Sequence, residues 1–373
     1  MNCEIEFLPV GDASRPGDAI VVRYGDTSSY ELMIVDGGNL DSGKAVVTHV
    51  RNHFGNDAAI SHVVLTHADA DHASGLRVVL AELPVANLWM HVPWAFAAAA
   101  RPYFANKNWA VDRLREAIRK EYDVLVELVQ LAAGGPQITV QSPFAGATIG
   151  PFRVLSPHLD VYTVLMPQFD RTPDPDQNAI KATGWWVGKQ PGVIARILEN
   201  AKAKAQTWVI ETWGKELLRD GGVTSASNES SVVLYGDFGP GRRVLLTGDA
   251  GVRGLSYAAY CASQLNLPLQ DFMFVQIPHH GSRRNVGPTV LNQILGPIHP
   301  EGSATRFAAF VSAPKDDDTH PRKMVLNAFM RRGGAVVATK GLSKIHWGGF
   351  PVRTGYDIAE ILPFTPRVEQ YDS

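Results

Sequence analysis

The sequence predicts an α/β protein of two stacked β-sheets enclosed by helices. Three observations carry this. Strand-like and helix-like segments alternate through the first hundred residues. Strands resume in the second half after a long helical and Pro-rich interruption. In both halves, apolar strands end abruptly in Gly-, Asp- or His-rich turns.

In chain order, "EIEFLPV" and "AIVVRYG" read as strands, and "YELMIVDGGN" as a strand closing in a Gly-rich turn. "GKAVVTHVRNHFG" has helical spacing and ends at Gly55. "SHVVLTH" is an apolar, β-branched run, hence a buried strand, and "GLRVVLAEL" is a short helix stopped by Pro84. "VANLWMHV" is the next strand. Arg101 to Leu131 is expected to be helical and amphipathic, and "ITVQSP" and "FRVLSP" return to strands. Asp160 to Ser227 reads as an insertion: a Pro/Asp-rich loop, "DRTPDPDQN", then a helix through "GVIARILENAKAKAQTWVIETWGKELLRDGG". "SSVVLYGDF" and "RRVLLTGDA" form a hairpin across "GPG". "FMFVQIPHHGS", "FAAFVSAP" and "AVVATKG" are three further strands. The expected organisation is one domain over 1–353, with an insertion at about 160–227 and a tail over 354–373.

Composition bounds the function. The 373 residues are 45% hydrophobic, ordinary for a globular chain. A net charge of −2 makes no case for a polyanionic partner, although a local basic patch would suffice for one. Two cysteines, Cys3 and Cys261, cannot build a disulfide framework and suggest a reducing compartment. The opening residues do not have the pattern of a secretory signal, and no run is apolar enough to span a membrane. A cytoplasmic protein with no membrane partner is expected.

"LTHADADHASG" places His67, Asp69, Asp71 and His72 within six residues, directly after a buried strand. A loop leaving a strand end can aim such residues into one pocket, and the small Ala68 and Ala70 let the backbone turn tightly. Imidazole with carboxylate suits zinc, manganese or iron, and four ligands in so short a span fit two neighbouring ions better than one. A solvated Asp-rich loop capping the next helix is the competing reading. In "LLTGDAG", Asp249 ends a strand beside glycine. It could bridge two cations, although taken alone it reads rather as a turn residue. "VQIPHHGSRR" ends another strand with His279 and His280, which could supply one metal ligand and one neighbouring or substrate contact. The coincidence of three such strand ends outweighs any one of them.

At this point the sequence resembles the metallo-β-lactamase superfamily. H-x-D-x-D-H-x-x-G is a variant of its H-x-H-x-D-H signature, and "MIVDGGN", "LTHADADHASG", "LLTGDA" and "PHHGS" follow in the family's order. Within the superfamily it looks most like the hydrolase domain of ComEC-type competence proteins and their stand-alone relatives. "GDAIVV", "NESSVVLYG" and "SAPKDDDTHPRKMVLNAFMRRGGAVVATKG" support that subgroup. The resemblance spans roughly Glu4 to Gly341, less the insertion. It implies an αββα sandwich of two mixed sheets between helices, and a cofactor of two divalent metal ions, zinc or manganese. His67 and Asp69 resemble ligands of the first metal, and Asp71, His72 and His280 those of the second. Asp249 matches the bridging carboxylate, and Asp36 a buried brace for the ligand loop. Asp69 departs from the commoner histidine. The family expects a further histidine ligand, for which His158 is the first candidate and His91 the second. His320 is expected at the pocket mouth as a substrate or proton contact, or as a plain helix-start residue. His49, His53, His62, His299 and His346 read as structural or surface residues.

Two cations sharing a water lower its pKa and neutralise charge on the attacked centre, so the expected chemistry is metal-dependent hydrolysis with Asp71, Asp249, His279 and His320 at the reaction. Arg283, Arg284, Arg322 and Lys323 flank the motifs and suit phosphate. A phosphodiester, plausibly nucleic acid, is therefore the favoured substrate. The alternatives are an amide, ester or thioester, or a non-catalytic binding module with a vestigial site. The insertion is expected to act as a lid or to select substrate.

Overall fold

The computed structural model describes residues 1–11, 16–135, 138–189, 207–353, 356 and 359–371. Two seven-stranded mixed sheets face each other. The first runs β15 (Lys344–His346), β1 (Asn2–Phe7), β2 (Ala19–Gly25), β3 (Tyr30–Gly37), β4 (Ile60–Val64), β5 (Val85–Trp89) and β6 (Thr139–Gln141). The second runs β14 (Gly334–Ala338), β13 (Phe307–Val311), β12 (Phe272–Gln276), β11 (Arg243–Leu246), β10 (Val233–Asp237), β8 (Phe152–Ser156) and β7 (Thr148–Ile149). In each sheet one half pairs antiparallel and the other parallel: β3 to β6 in the first sheet, β11 to β14 in the second.

The strands are apolar on both faces because both faces are covered. Between the sheets, Ile5, Phe7, Ile20, Val22 and Met33 meet Leu234, Val244, Phe274, Phe310 and Val337. The Phe7, Phe274 and Phe310 rings lie 5.1–5.8 Å apart at tilted or edge-on angles. Outside the first sheet, the helices Leu40–Phe54, Leu76–Glu82 and Asp123–Gly134 bury Val46, Val50, Leu76, Val79, Leu125 and Leu128. Outside the second, Val252–Gln264, Pro288–Leu295 and Lys323–Arg331 bury Leu255, Val290, Leu291, Val325 and Phe329. This is the expected αββα sandwich. The Asn39 side chain caps the first helix by accepting from the Ser42 amide at 2.9 Å, and Gly55 ends it at φ 103°. Among the described residues no helix is long and apolar enough to cross a membrane.

Three elements depart from expectation. Arg101 to Leu131 is not one helical stretch. Val111–Arg119 and Asp123–Gly134 are separate helices, because Tyr122 leaves the helical region at φ −121°, ψ 56° with its ring buried in the first core. In the insertion, the expected helix does not form over Trp208–Ile210, which is a strand, β9, and residues 190–206 lie outside the described residues. Beyond it the backbone carbonyls of Thr212 and Trp213 accept from the buried Arg331 guanidinium at 2.6 and 2.9 Å. A helix would have used those carbonyls internally. The partner of β9 is β16 (Arg367–Glu369), from the segment read as a tail. Val368 is buried in the second core, and Glu369 accepts from the Lys323 amide at 3.0 Å at the start of the Lys323–Arg331 helix.

Candidate metal centre

The site lies where strand ends of both sheets meet. Asp36, at the end of β3, organises the first half from a left-handed backbone (φ 57°) that Asp tolerates better than most residues. Its carboxylate accepts from the Thr66 amide at 2.7 Å, the Thr66 hydroxyl at 2.6 Å and His72 Nδ1 at 2.7 Å. Thr66 Oγ1, having given its proton to Asp36, accepts from His67 Nδ1 at 3.0 Å. One buried carboxylate thus orients both rings, with Nδ1 turned to the Asp36–Thr66 pair and Nε2 turned inward. His67 Nε2 and His72 Nε2 are buried and have no hydrogen-bond partner. The ligand loop is seated tightly: a Cβ at Gly75 would stand 1.9 Å from the Gly37 carbonyl oxygen.

The second sheet supplies Asp249. The Gln276 side-chain oxygen accepts from the Thr247 and Gly248 amides at 2.9 and 3.1 Å, and Asn285 Nδ2 donates to the Asp249 carbonyl at 2.8 Å. Asp249 Oδ2 then stands 3.4 Å from His72 Nε2, 3.9 Å from both His67 Nε2 and His280 Nε2, and 3.7 Å from His279 Nδ1. His280 Nδ1 donates to the Ser312 carbonyl at 3.2 Å, which again leaves Nε2 facing inward. Burial works to raise the Asp249 pKa, but the facing His279, His72 and His280 hold it well below the carboxylate range. Burial works to lower the His72 pKa, but Asp249 and Asp36 raise it well above the imidazole range. His67, His72 and Asp249 offer ligand atoms within 4.8 Å of one another, as do Asp18, Asp36 and His72. Unpartnered, convergent imidazole nitrogens around a carboxylate are the donor set a divalent cation takes, so these residues fit a metal.

The expected residues divide. His67, His72, Asp249, His279 and His280 come together. Asp69 joins their edge, with Oδ2 3.7 Å from His67 Nε2 and Oδ1 accepting from the Ser227 hydroxyl at 2.7 Å. Asp71 is half-buried, belongs to neither three-ligand group, and has no hydrogen bond or ion pair among the described residues. His279 and His280 both take left-handed backbone, φ 46° and 53°. The alternation of an extended strand therefore does not apply to them, and both rings face Asp249. Their nitrogens separate them, since His279 Nδ1 accepts from Asn228 Nδ2 at 2.6 Å. Burial lowers the His279 pKa to about 3.

His158 does not reach the cluster. It is exposed, and its side chain caps the Leu159–Leu165 helix by accepting from the Asp160 amide at 3.3 Å. A helix start explains it fully. His91 is buried, stacked on Tyr162 at 4.5 Å, and shares a small cavity with His67, Leu65 and Ala68. Burial depresses its pKa to about 3. His320 Nδ1 pairs with Asp317 Oδ2 at 3.2 Å, and the following Pro321 packs on Gly281, where a Cβ would stand 2.6 Å from Pro321 Cβ, which places His320 beside the His279–His280 loop.

The basic residues are corrected in part. Arg283 donates to the Gln370 carbonyl at 2.8 Å and lies over Tyr371, and Lys323 lies over Trp208 at 4.5 Å. Lys323 thus points at β9 and Arg283 at the residues just after β16, where aromatic faces attract cations. Arg284 is exposed on the loop after His280, and the Arg322 amide donates to the Gly281 carbonyl at 3.1 Å.

Thr66, Ser227, Asn228, Gln276, Asn285 and Asp18 had no assigned role in the sequence. Only Asp18 and Asn228 carried a signal, since "GDAIVV" and "NESSVVLYG" stand beside strand ends, as the ligand motifs do.

Residues 12–161 match the family model described as Metallo-beta-lactamase superfamily, a span that includes Asp36 and the His67–His72 loop. Over that span, less than half of the chain, the sequence is similar to the superfamily's domain. No curated protein matches the sequence. Among solved structures, zinc-bound PqqB from Methylobacterium extorquens is similar at 13% identity, covering 91% of this chain and 99% of that one, with a TM-score of 0.37. A diphosphatase of the PhnP family is similar at 10% identity, 92% and 97% coverage and a TM-score of 0.34. A long-form RNase Z from yeast is similar at 10% identity and a TM-score of 0.37, covering 92% of this chain and 41% of that one.

Proposed function

We propose that the protein is a metal-dependent phosphodiesterase or nuclease of the ComEC-like type, acting with two divalent ions, zinc or manganese. The observation that carries this reading is the Asp249 carboxylate, buried among the Nε2 atoms of His67, His72 and His280 at 3.4–3.9 Å. In this reading His67 and Asp69 would hold one ion, His72, His280 and Asp71 would hold the other, and Asp249 would serve both. His91 takes the place of His158 as the nearby further histidine. The bound ions would supply water activation and charge neutralisation at phosphorus.

The chain's own residues do the rest. His279 accepts from Asn228 at Nδ1, so its proton is on Nε2, where the neutral ring can donate a hydrogen bond to a phosphoryl or leaving oxygen. His320, oriented by Asp317, is a second proton contact. Arg284 and Arg322 flank the His279–His280 loop and suit a phosphate better than an amide substrate. Both cysteines are free, which fits a cytoplasmic setting.

The test is hydrolysis by metal-loaded protein of bis-p-nitrophenyl phosphate and of single- and double-stranded DNA and RNA, beside a chromogenic lactam and a thioester. Cleavage of a phosphodiester that chelator abolishes is expected. Cleavage of the lactam or thioester alone would replace the phosphodiester reading. Metal binding without any turnover would leave a binding module.

A further inference from the structure

We infer that Asp18 and Gln276 form a clamp that sets the two halves of the metal centre against each other, with Asp18 a positioning residue for divalent-cation binding. The inference rests on the metal-centre reading above and adds residues that the cluster itself does not require.

Asp18 precedes β2 and is 2% exposed. Its carboxylate belongs to the buried group with Asp36 and His72. Gln276, which closes β12 in the other sheet, donates from Nε2 to Asp18 Oδ2 at 2.9 Å. The same amide accepts through Oε1 from Thr247 and Gly248, the two residues before Asp249. The two backbone N–H groups fix which end of the amide is oxygen, so the other end must donate to Asp18. One side chain therefore ties the turn that aims Asp249 to a carboxylate beside His72.

A second contact comes from the backbone. Gly17 has φ +56°, and a Cβ there would stand 1.9 Å from the Asp71 carbonyl oxygen. The Gly17–Asp18 turn is thus pressed against the ligand loop itself, while the Asp18 side chain reaches across to the second sheet. A buried carboxylate whose hydrogen bond comes from a neutral amide is also costly without a nearby cation. Ions held at the cluster would offset that cost, so Asp18 strengthens binding without touching the ion. Neighbouring groups that only orient ligands commonly change metal affinity about 10–100-fold.

The experiment measures manganese and zinc affinity by chelator competition, and ions per chain by elemental analysis, for the full chain and four variants. Asp18→Ala removes the clamp. Asp18→Asn keeps an acceptor for Gln276 without the charge. Gln276→Met cuts the link from the other side, and Asp18→Ala with Gln276→Met completes a cycle. Melting in chelator reports folding, and the visible spectrum of the cobalt-substituted protein reports ligand geometry. Asp18→Ala and Gln276→Met should each weaken affinity about 10–100-fold with an altered cobalt spectrum. The pair should lose no more than the worse single variant, and Asp18→Asn should lose less than Asp18→Ala. Unchanged affinity in Gln276→Met and Asp18→Asn overturns the clamp, even if Asp18→Ala fails to fold. So do additive losses. Loss of a whole ion in Asp18→Ala with Gln276→Met unaffected would make Asp18 a ligand instead. An unaltered chain that binds neither metal would bring down the metal-centre reading and the clamp together, which distinguishes that failure from failure of the clamp alone.

Discussion

At His279 and His280, the nitrogen each ring keeps free decides between holding a cation and donating a hydrogen bond. His280 spends Nδ1 on the Ser312 carbonyl and presents Nε2 to Asp249, whereas His279 spends Nδ1 on Asn228. His280→Ala should therefore lose bound metal. His279→Ala should keep it and lose about 10²–10³ in rate, the range of one lost hydrogen-bond donor to a developing oxyanion. Elemental analysis beside turnover separates the two, and metal loss in His279→Ala would exchange their roles. Asp249→Ala should abolish hydrolysis with the far-UV spectrum retained, and residual full activity would refute its place between the ions. Asp69 is the departure from the commoner histidine. A carboxylate is a harder ligand, so manganese should activate the unaltered protein at least as well as zinc, and Asp69→His should move the optimum toward zinc. Equal metal preference in both proteins would mean that Asp69 serves only Ser227. The ligand-type residues themselves were legible because they cluster after strands. Asp18, Asn228 and Gln276 were not, because a polar residue at a strand end has no chemistry until its partner from the other sheet is known.

Among the elements, strands were the most legible, since sheets covered on both faces demand unbroken apolar runs. The region around Arg331 shows where that legibility stops. Helical spacing through Trp208–Leu218 is real, yet Arg331 on the Lys323–Arg331 helix is fully buried, donates to the Thr212 and Trp213 carbonyls and pairs with Glu211 at 3.3 Å. A buried cation from 120 residues later overrode local propensity. Asn327 adds a bond to Glu211 at 2.6 Å from the same helix. Arg331→Ala should strand the Glu211 carboxylate and destabilise the protein by on the order of 3–5 kcal/mol, as removing one partner of a buried pair does. Urea unfolding measures it. Replacing Arg331 and Glu211 together by Met and Gln should cost less than Arg331→Ala, because no charge is then left alone. A cost near zero for Arg331→Ala would mean that the β9–β16 region is not anchored through this residue.

At the scale of the whole molecule, the two-sheet plan was legible from the repeated pattern of strands and turns, but the joins between distant segments were not. Glu4 and Glu6 lie on the same face of β1, two residues apart and fully buried, and nothing in "EIEFLPV" names their partners. Arg353, some 350 residues later, reaches both, at 2.9 and 2.5 Å. Arg23 also faces Glu4, while His49 and Tyr356 face Glu6. The two carboxylates shift in opposite directions. Burial pushes Glu4 up to about 7 despite Arg353. Burial acts the same way on Glu6, but the hydrogen bond and charge of His49, with Arg353 and Tyr356, outweigh it and lower the pKa. For Glu4 the folded state holds a proton that the unfolded chain releases at lower pH. Its stabilising contribution is complete below the ordinary glutamate range and is lost as pH rises toward 7. Glu6 contributes above that range and loses its contribution as pH falls. Glu4→Gln should therefore gain melting temperature relative to the unaltered protein, by several degrees, between pH 5 and 8. Glu6→Gln should be the less stable variant at pH 8, with the deficit shrinking toward pH 4. Glu229, whose buried carboxyl also rises to about 7, tilts the curve of every variant equally and cancels in the differences. Melting curves of the three proteins across that range decide the matter. Parallel curves would show that Glu4 and Glu6 do not titrate differently in the folded state, and that Arg353 shares its charge equally between them.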